Sequence, residues 1–376
     1  MSDQRYTRDG SDALESLIDA TCREVGAEVE RIVPAARLQA LALGGGYGRG
    51  EGGVLKTPHG DAPYNDLEFF LLIQGPPRLN EKRFGHAIHE LEHRMTGKIG
   101  IEVEIKITSL EAIASGPTTM HHYDLVEGHR IFAGPADALA PCHHHADPSR
   151  IPPHEATRLL MNRCSGLLFA RERLNRKTLQ PGDADFATRN IAKAQLALGD
   201  ALLASKGLYH WSCVKRHEAL AKLRDPSLPL EKLTAFHKDG VDFKLHPYSS
   251  EASRAELATL HEKVLKVAWP VWQTIEETRL GRTFPSPSDY ARGPDKCPET
   301  KPLKNALIRL RTFGPKGLLN DRATRYPREA LLNILPVLLW ETDAADSQWL
   351  GEQLVAPVSN WSAGIAAYQN LWEKYN

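Results

Sequence analysis

The stretch Leu38-Gln39-Ala40-Leu41-Ala42-Leu43-Gly44-Gly45-Gly46-Tyr47-Gly48-Arg49-Gly50-Glu51 decides how this chain is read. A short apolar run stops abruptly in three glycines, which predicts a buried strand feeding a tight turn. Glycines let a backbone come close to a phosphate, and a helix start beyond them offers unpaired N–H groups to an anion. The turn lacks the G-x-x-x-x-G-K-[ST] spacing of a P-loop, and it does not sit in the βαβ setting of a dinucleotide-binding turn. Alone, it is one phosphate loop among many.

Working outward, Leu14, Leu17, Ile18, Val25, Val29 and Ile32 recur at helical spacing upstream of the turn, and Pro34 stops that helix. Downstream, a polar loop with Pro58, Gly60 and Pro63 leads to an apolar strand from Asp66 to Ile73, closed by Gly75-Pro76-Pro77. Glu81 to Met95 reads as a helix. Ile101 to Ile107 alternates strictly, with Ile101, Val103, Ile105 and Ile107 on one face and Glu102, Glu104 and Lys106 on the other. A helix over Met120 to Val126 and a short strand at Arg130-Ile131-Phe132 complete an α+β domain. Beyond Pro152-Pro153 the pattern is helical, so the expected division is a first domain over 1–148 and an all-helical domain over 149–376. The segment from Thr283 to Lys304, rich in Pro, Ser and charge, reads as an exposed loop or lid.

The acidic residues give the turn its meaning. Asp66 and Glu68 stand at i and i+2, so both leave the same face of an otherwise apolar strand. Two carboxylates so placed repel each other unless a cation neutralises them, and hard oxygen ligands suit Mg²⁺. Glu104, on the polar face of the next strand, is the natural third member.

Gly45-Gly46-Tyr47-Gly48-Arg49-Gly50-Glu51 followed by Asp66-Leu67-Glu68 resembles the G-[GS]-x-x-R-G…[DE]-x-[DE] signature of the DNA-polymerase-β-like nucleotidyltransferase superfamily. Val103-Glu104-Ile105 looks like the strand carrying that superfamily's third carboxylate. The likeness is nearest to the aminoglycoside (kanamycin- and streptomycin-type) and minimal nucleotidyltransferases, which pair a short catalytic domain with a helical one. Tyr123-Asp124-Leu125-Val126-Glu127-Gly128-His129-Arg130-Ile131-Phe132-Ala133-Gly134 also has their look. In motif terms the resemblance covers roughly residues 37 to 135. The turn departs from the common pattern at Gly46, where Ser is frequent, and at Gly48, where Ala is frequent; a lost hydroxyl removes one phosphate contact.

The resemblance implies a small nucleotidyltransferase-type mixed sheet flanked by helices. It also implies two Mg²⁺ ions on Asp66, Glu68 and Glu104, with ATP or another nucleoside triphosphate lying on Gly45 and Gly46. The reaction would move a nucleoside monophosphate, AMP by the family's habit, to an acceptor hydroxyl on a small molecule, releasing pyrophosphate. Arg49 would brace the turn through a carboxylate or contact phosphate. Lys193 and Tyr209 are the expected triphosphate contacts from the helical domain, by a looser likeness. Either Glu104 or a helical-domain carboxylate such as Glu172 would serve as base. An antitoxin-type enzyme acting on a protein or RNA, and a degenerate nucleotide-binding module, are the alternatives.

Composition narrows the partners. Forty-seven basic residues balance forty-seven acidic ones over 376 residues, which gives no reason to expect a long nucleic acid. No apolar run approaches the roughly 20 residues of a membrane helix. Met1 to Arg5 are polar, without a signal core. Five scattered cysteines, never in CxxC spacing, point to a reducing, cytoplasmic setting. The run Cys142-His143-His144-His145, with His121-His122, invites a zinc reading. Adjacent histidines cannot all face one ion, however, and the run reads as a linker. The oligomeric state is left open.

Overall fold

The computed structural model describes residues 5–293, 295–319, 323–342 and 347–375. The polar N-terminal residues Met1 to Gln4 therefore lie outside the described residues. Two compact units emerge, one of Met1–Glu155, Leu203–Leu223 and Lys238–Ser249, the other of Ala156–Leu202, Arg224–His237 and Ser250–Asn376. This differs from a single cut near 148, because two later segments join the sheet-bearing unit.

In the first unit, α1 (Asp12–Ile32) starts at Ser11, whose hydroxyl accepts from the Leu14 N–H. Strand β1 (Leu38–Leu43) runs into the one-turn helix α2 (Gly45–Gly48). The expected polar loop is instead a hairpin of β2 (Val54–Thr57) and β3 (Gly60–Pro63), with Thr57 paired to Gly60 across its turn. Then follow β4 (Leu67–Ile73), α3 (Pro77–Ile99), β5 (Val103–Thr108), α4 (Leu110–Ala114), α5 (Met120–Glu127) and β6 (Arg130–Ala133). The main sheet has the order β5-β4-β1-β6; β1 is antiparallel to both β4 and β6, and β4 is parallel to β5.

Strand alternation sorts the core. Leu67, Phe69, Leu71 and Ile73 join Leu41 and Leu43 against α1 and α3, in one cluster with Ile18, Val25, Ile88 and Leu91. Phe70 and Leu72 face the other way, clustered with Ala40, Ala42, Ile113, Leu125, Leu139 and Cys142. Glu68 has the parity of Phe70 and Leu72, so it lies on this second face. The Cys142–His145 run is thus no linker. It forms a 3₁₀ turn over Ala140–Ala146 in which Cys142 and His145 are buried. The Thr118 hydroxyl donates to His145 Nδ1 at 3.0 Å, and Nε2 donates to the Ile113 carbonyl at 2.9 Å. Burial lowers the proton affinity of this ring.

The later helices are α6 (Pro153–Leu174), α7 (Asp183–Ser205), α8 (Cys213–Lys222), α9 (Leu230–Leu245), α10 (Arg254–Leu280), α11 (Pro287–Ala291), α12 (Pro302–Phe313), α13 (Arg328–Trp340), α14 (Ser347–Leu354) and α15 (Trp361–Trp372). In the second unit the fully buried Trp272 meets the Tyr290 ring edge-on at 5.9 Å. Glu276, also fully buried, is paired with Arg279 at 2.6 Å and accepts from the Tyr290 hydroxyl at 2.8 Å. The segment from Thr283 to Lys304 is therefore no exposed lid: Phe284, Tyr290, Ala291, Lys296 and Cys297 within it are all buried. Its polar composition hid a few large aromatic anchors. Among the described residues no helix is long and apolar enough to cross a membrane.

Candidate functional site

The glycine turn sits beside β4 because the Gly44 N–H donates to the Glu68 carbonyl at 2.8 Å, continuing the β1–β4 ladder by one residue. Gly45 then takes φ 61°, in the left-handed region that side-chain-bearing residues avoid. A Cβ there would stand 3.1 Å from the Glu68 carboxyl carbon. The turn therefore lies directly against that carboxylate.

Glu68 and Glu104 are Cα partners on the parallel strands β4 and β5. Asp66 immediately precedes β4, two residues before Glu68. Burial, then the charge of Asp66, raises the Glu68 carboxyl above the ordinary carboxylate range, and Glu104 adds to the effect; Lys106 and Arg49 oppose it. Glu104 is more open, with its carboxylate 3.1 Å from the Lys106 ammonium. Among the described residues, no three acidic, His or Cys side chains are close enough to hold a metal ion as they stand. The side chains of Asp66, Glu68 and Glu104 are nevertheless hard oxygen donors, and at Glu68, where burial and neighbouring carboxylates oppose ionisation, added positive charge is favourable.

Arg49 leaves the end of α2 and pairs with Asp124 of α5 at 3.0 Å, both side chains being largely buried (11% and 18% exposed). Its stem crosses Gly128, where a Cβ would lie 2.2 Å from Arg49 Cγ; that close approach is why glycine follows α5. The Tyr209 hydroxyl donates to the same Asp124 oxygen at 3.3 Å, its ring is buried beside Tyr123, and the Arg216 guanidinium lies over it at 4.8 Å. The carboxylate beside Arg49, through which it would brace the turn, is Asp124. The hydroxyl of Tyr209, the residue expected on the triphosphate, donates to Asp124.

Glu51 closes the motif from the other end. Fully buried, it accepts from the Ser212 hydroxyl at 2.5 Å and the Cys213 N–H at 2.9 Å, with the Lys244 ammonium 3.8 Å away. These contacts tie α8 and the last turn of α9 to the segment that follows the glycine turn. Burial alone would raise the Glu51 carboxyl, but Lys244, Ser212 and Cys213 together bring it below the ordinary range.

A hollow of about 150 Å³ opens between the turn and α5, lined by Gly45, Arg49, Glu68, Phe70, His121, Asp124 and Leu125. It has room for a phosphate-sized group or a hydrated ion, whereas pockets that enclose whole small ligands run from roughly 300 Å³ upward. His121, Asp124 and Leu125 were not expected in this wall. Their i, i+3, i+4 spacing puts them on one face of α5, and for Asp124 and Leu125 the family look of their segment was a second signal in the sequence. The ring of His121 lies 5.0 Å from that of Phe70.

Of the remaining candidates, Lys193 and Glu172 belong to the second unit and Gly46 to α2. Lys193 is an exposed residue of α7 in the second unit. Glu172, also in the second unit, pairs with Arg176 one turn on at 2.9 Å, the ordinary role of a helix-surface carboxylate. Gly46 follows Gly45 in α2, where a Cβ would meet the Glu51 carbonyl at 3.1 Å. No protein-family model matches the chain, and no curated protein or solved structure is detectably similar to it.

Proposed function

We propose that the sheet-bearing unit is a magnesium-dependent nucleotidyltransferase, moving a nucleoside monophosphate from ATP or another nucleoside triphosphate to a hydroxyl of a small acceptor. One observation carries the reading: Glu68 and Glu104 share a register on neighbouring parallel strands, with Asp66 two residues before and the Gly45 turn against Glu68. The small mixed sheet, antiparallel at β1–β4 and parallel at β4–β5, is compatible with the fold that the superfamily resemblance implies.

In this reading Asp66, Glu68 and Glu104 hold Mg²⁺, which when bound supplies positive charge for phosphate oxygens that gain negative charge during transfer. Glu104 meets the Lys106 ammonium through one oxygen and has a second oxygen to offer the ion. Gly45, having no side chain, leaves space for a phosphate beside Glu68. Arg49 holds the turn on α5 through Asp124, so the acidic strand and the turn keep one geometry. A carboxylate, Glu104 being the nearest candidate, takes the acceptor's proton. The freed oxygen bonds to the α-phosphorus, the bond between that phosphorus and the α–β bridging oxygen breaks, and pyrophosphate departs with that electron pair. Lys193 remains a candidate phosphate contact on resemblance alone.

The test is incubation of the full chain with each α-labelled nucleoside triphosphate, Mg²⁺ and a panel of hydroxyl-bearing small molecules. Label in a small product together with free pyrophosphate is the expected result. If calorimetry finds no Mg²⁺-dependent binding of any nucleoside triphosphate, the proposal fails. Label in a protein or RNA band would move the acceptor to a macromolecule.

A further inference from the structure

The second unit carries a cleft of about 850 Å³ that the proposed chemistry does not use. Its walls come from Arg171 of α6 and Asn175 just beyond it, one face of α10 (Glu262, Leu265, Lys266, Trp269, Pro270), Trp340 at the end of α13 with the following Glu341, and Trp361 at the start of α15. Three indoles thus line one hollow. The rings of Trp269 and Trp340 lie 5.4 Å apart, tilted by 52°. Two of the three are pinned by their own N–H groups, Trp340 to the Leu265 carbonyl at 3.0 Å and Trp361 to the Leu338 carbonyl at 3.4 Å. Pinned indoles lose little freedom when a flat molecule stacks on them, which favours binding.

The charges decide what kind of molecule. Arg171 donates to the Leu339 carbonyl at 2.7 Å and to Glu262 at 3.0 Å, so both members of that pair are engaged. Glu341 accepts from the backbone N–H and the hydroxyl of Ser288. Lys266 is exposed and makes no side-chain hydrogen bond or ion pair with the described residues. Indoles would also attract an organic cation. Here, however, the two carboxylates that would add to that attraction are already taken, and the uncommitted charge is an ammonium. The same wall offers an acceptor as well. Pro270 lies inside α10 and has no N–H to give the Lys266 carbonyl, the partner four residues back.

We propose that this cleft is a binding site for a small aromatic anion. A flat ring stacks among Trp269, Trp340 and Trp361, and an acidic substituent sits on the Lys266 ammonium. A ring N–H or hydroxyl donates to the Lys266 carbonyl. The proposal does not rest on the nucleotidyltransferase reading, since every lining residue belongs to the second unit and no transfer step is involved.

The probe is 8-anilinonaphthalene-1-sulfonate, an aromatic anion whose fluorescence rises in a dry site, titrated into the full chain without nucleotide or Mg²⁺. Saturable binding at one site is expected, with Lys266→Gln weakening it by roughly fivefold, as befits a solvent-exposed ion pair. Trp269→Ala should weaken it by about tenfold. N-Methylquinolinium, a flat aromatic cation, should bind more weakly than the sulfonate. Lys266 is exposed, so its variant keeps the fold and reads the charge contact even if Trp269→Ala unfolds the unit. Wild-type affinity in Lys266→Gln, or tighter binding of the quinolinium, overturns the proposal.

Discussion

Glu68 and Glu104 stand at one register on adjacent parallel strands, and the more buried of the two, Glu68, resists ionisation. A carboxyl whose proton affinity is raised by folding stabilises the folded chain below its ordinary titration range. That contribution is lost as pH rises through the raised value. Without a cation, the chain should therefore lose some stability as pH climbs above the ordinary carboxylate range. Mg²⁺ should raise the melting temperature at pH 7.5 and have little effect at pH 4. Glu68→Gln should raise the metal-free melting temperature, remove the Mg²⁺ response, and cut transfer by about a hundredfold or more. Thermal scans at both pH values, with and without Mg²⁺, decide the point. An equal Mg²⁺ response in Glu68→Gln and wild type would take the ion away from this site.

Gly45 holds φ 61°, and a Cβ there would stand 3.1 Å from the Glu68 carboxyl carbon, so Gly45→Ala combines backbone strain with a tight contact on the carboxyl. A cost of about 1–2 kcal/mol is expected for forcing a side-chain-bearing residue into that conformation. Transfer should fall further than stability does, because the added methyl occupies the space beside Glu68. Urea titration and initial rates on the same preparation separate the two effects.

The Arg49–Asp124 pair is mostly withdrawn from water, and Tyr209 leans on the same carboxylate. Removing either charge alone strands the other. Arg49→Ala and Asp124→Ala should each cost about 3–5 kcal/mol, and the double variant should cost clearly less than their sum. Tyr209→Phe, losing one 3.3 Å hydrogen bond, should cost about 1 kcal/mol. A double-variant cycle by urea unfolding measures the coupling; strictly additive losses would show that the pair does not brace the turn.

Glu51 behaves in the opposite sense to Glu68. Its carboxyl is held below the ordinary range, so its contribution to stability is present above that range and is lost as pH falls through the lowered value. Glu51→Gln should flatten the acid limb of the stability profile and leave pH 7 to 9 nearly parallel to wild type. Ser212→Ala removes both a donor to Glu51 and the cap of α8, and should cost about 1–2 kcal/mol. Chemical unfolding from pH 3 to pH 9 tests both.

The carboxylate pattern and the succession of strands along the chain were legible because they are local. Period-two alternation put Glu68 on the same face as Asp66 and Glu104 on the polar face of its own strand, and triple glycine after an apolar run marked the turn. The β2–β3 hairpin was missed because Val54–Thr57 is short and its partner begins with a glycine. The buried anchors between Thr283 and Lys304 were missed because Pro, Ser and charge outnumber Phe284 and Tyr290 there.

What the sequence by itself determined is the inventory: a glycine turn, acidic residues on β4 and β5 and just before β4, and a helical remainder. Propensity and periodicity act over a few residues, and these features need no more than that. Only the tertiary structure decided how the inventory is used. Arg49 finds Asp124 some 75 positions away, Glu51 finds Ser212 across 161, and Tyr209 turns to Asp124 instead of remaining open. Such choices follow from which buried charges must be neutralised once the chain is packed, and a buried charge takes the nearest partner in space, wherever that partner lies along the chain. The glycine turn could be read from its neighbours in sequence; the brace that holds it could not.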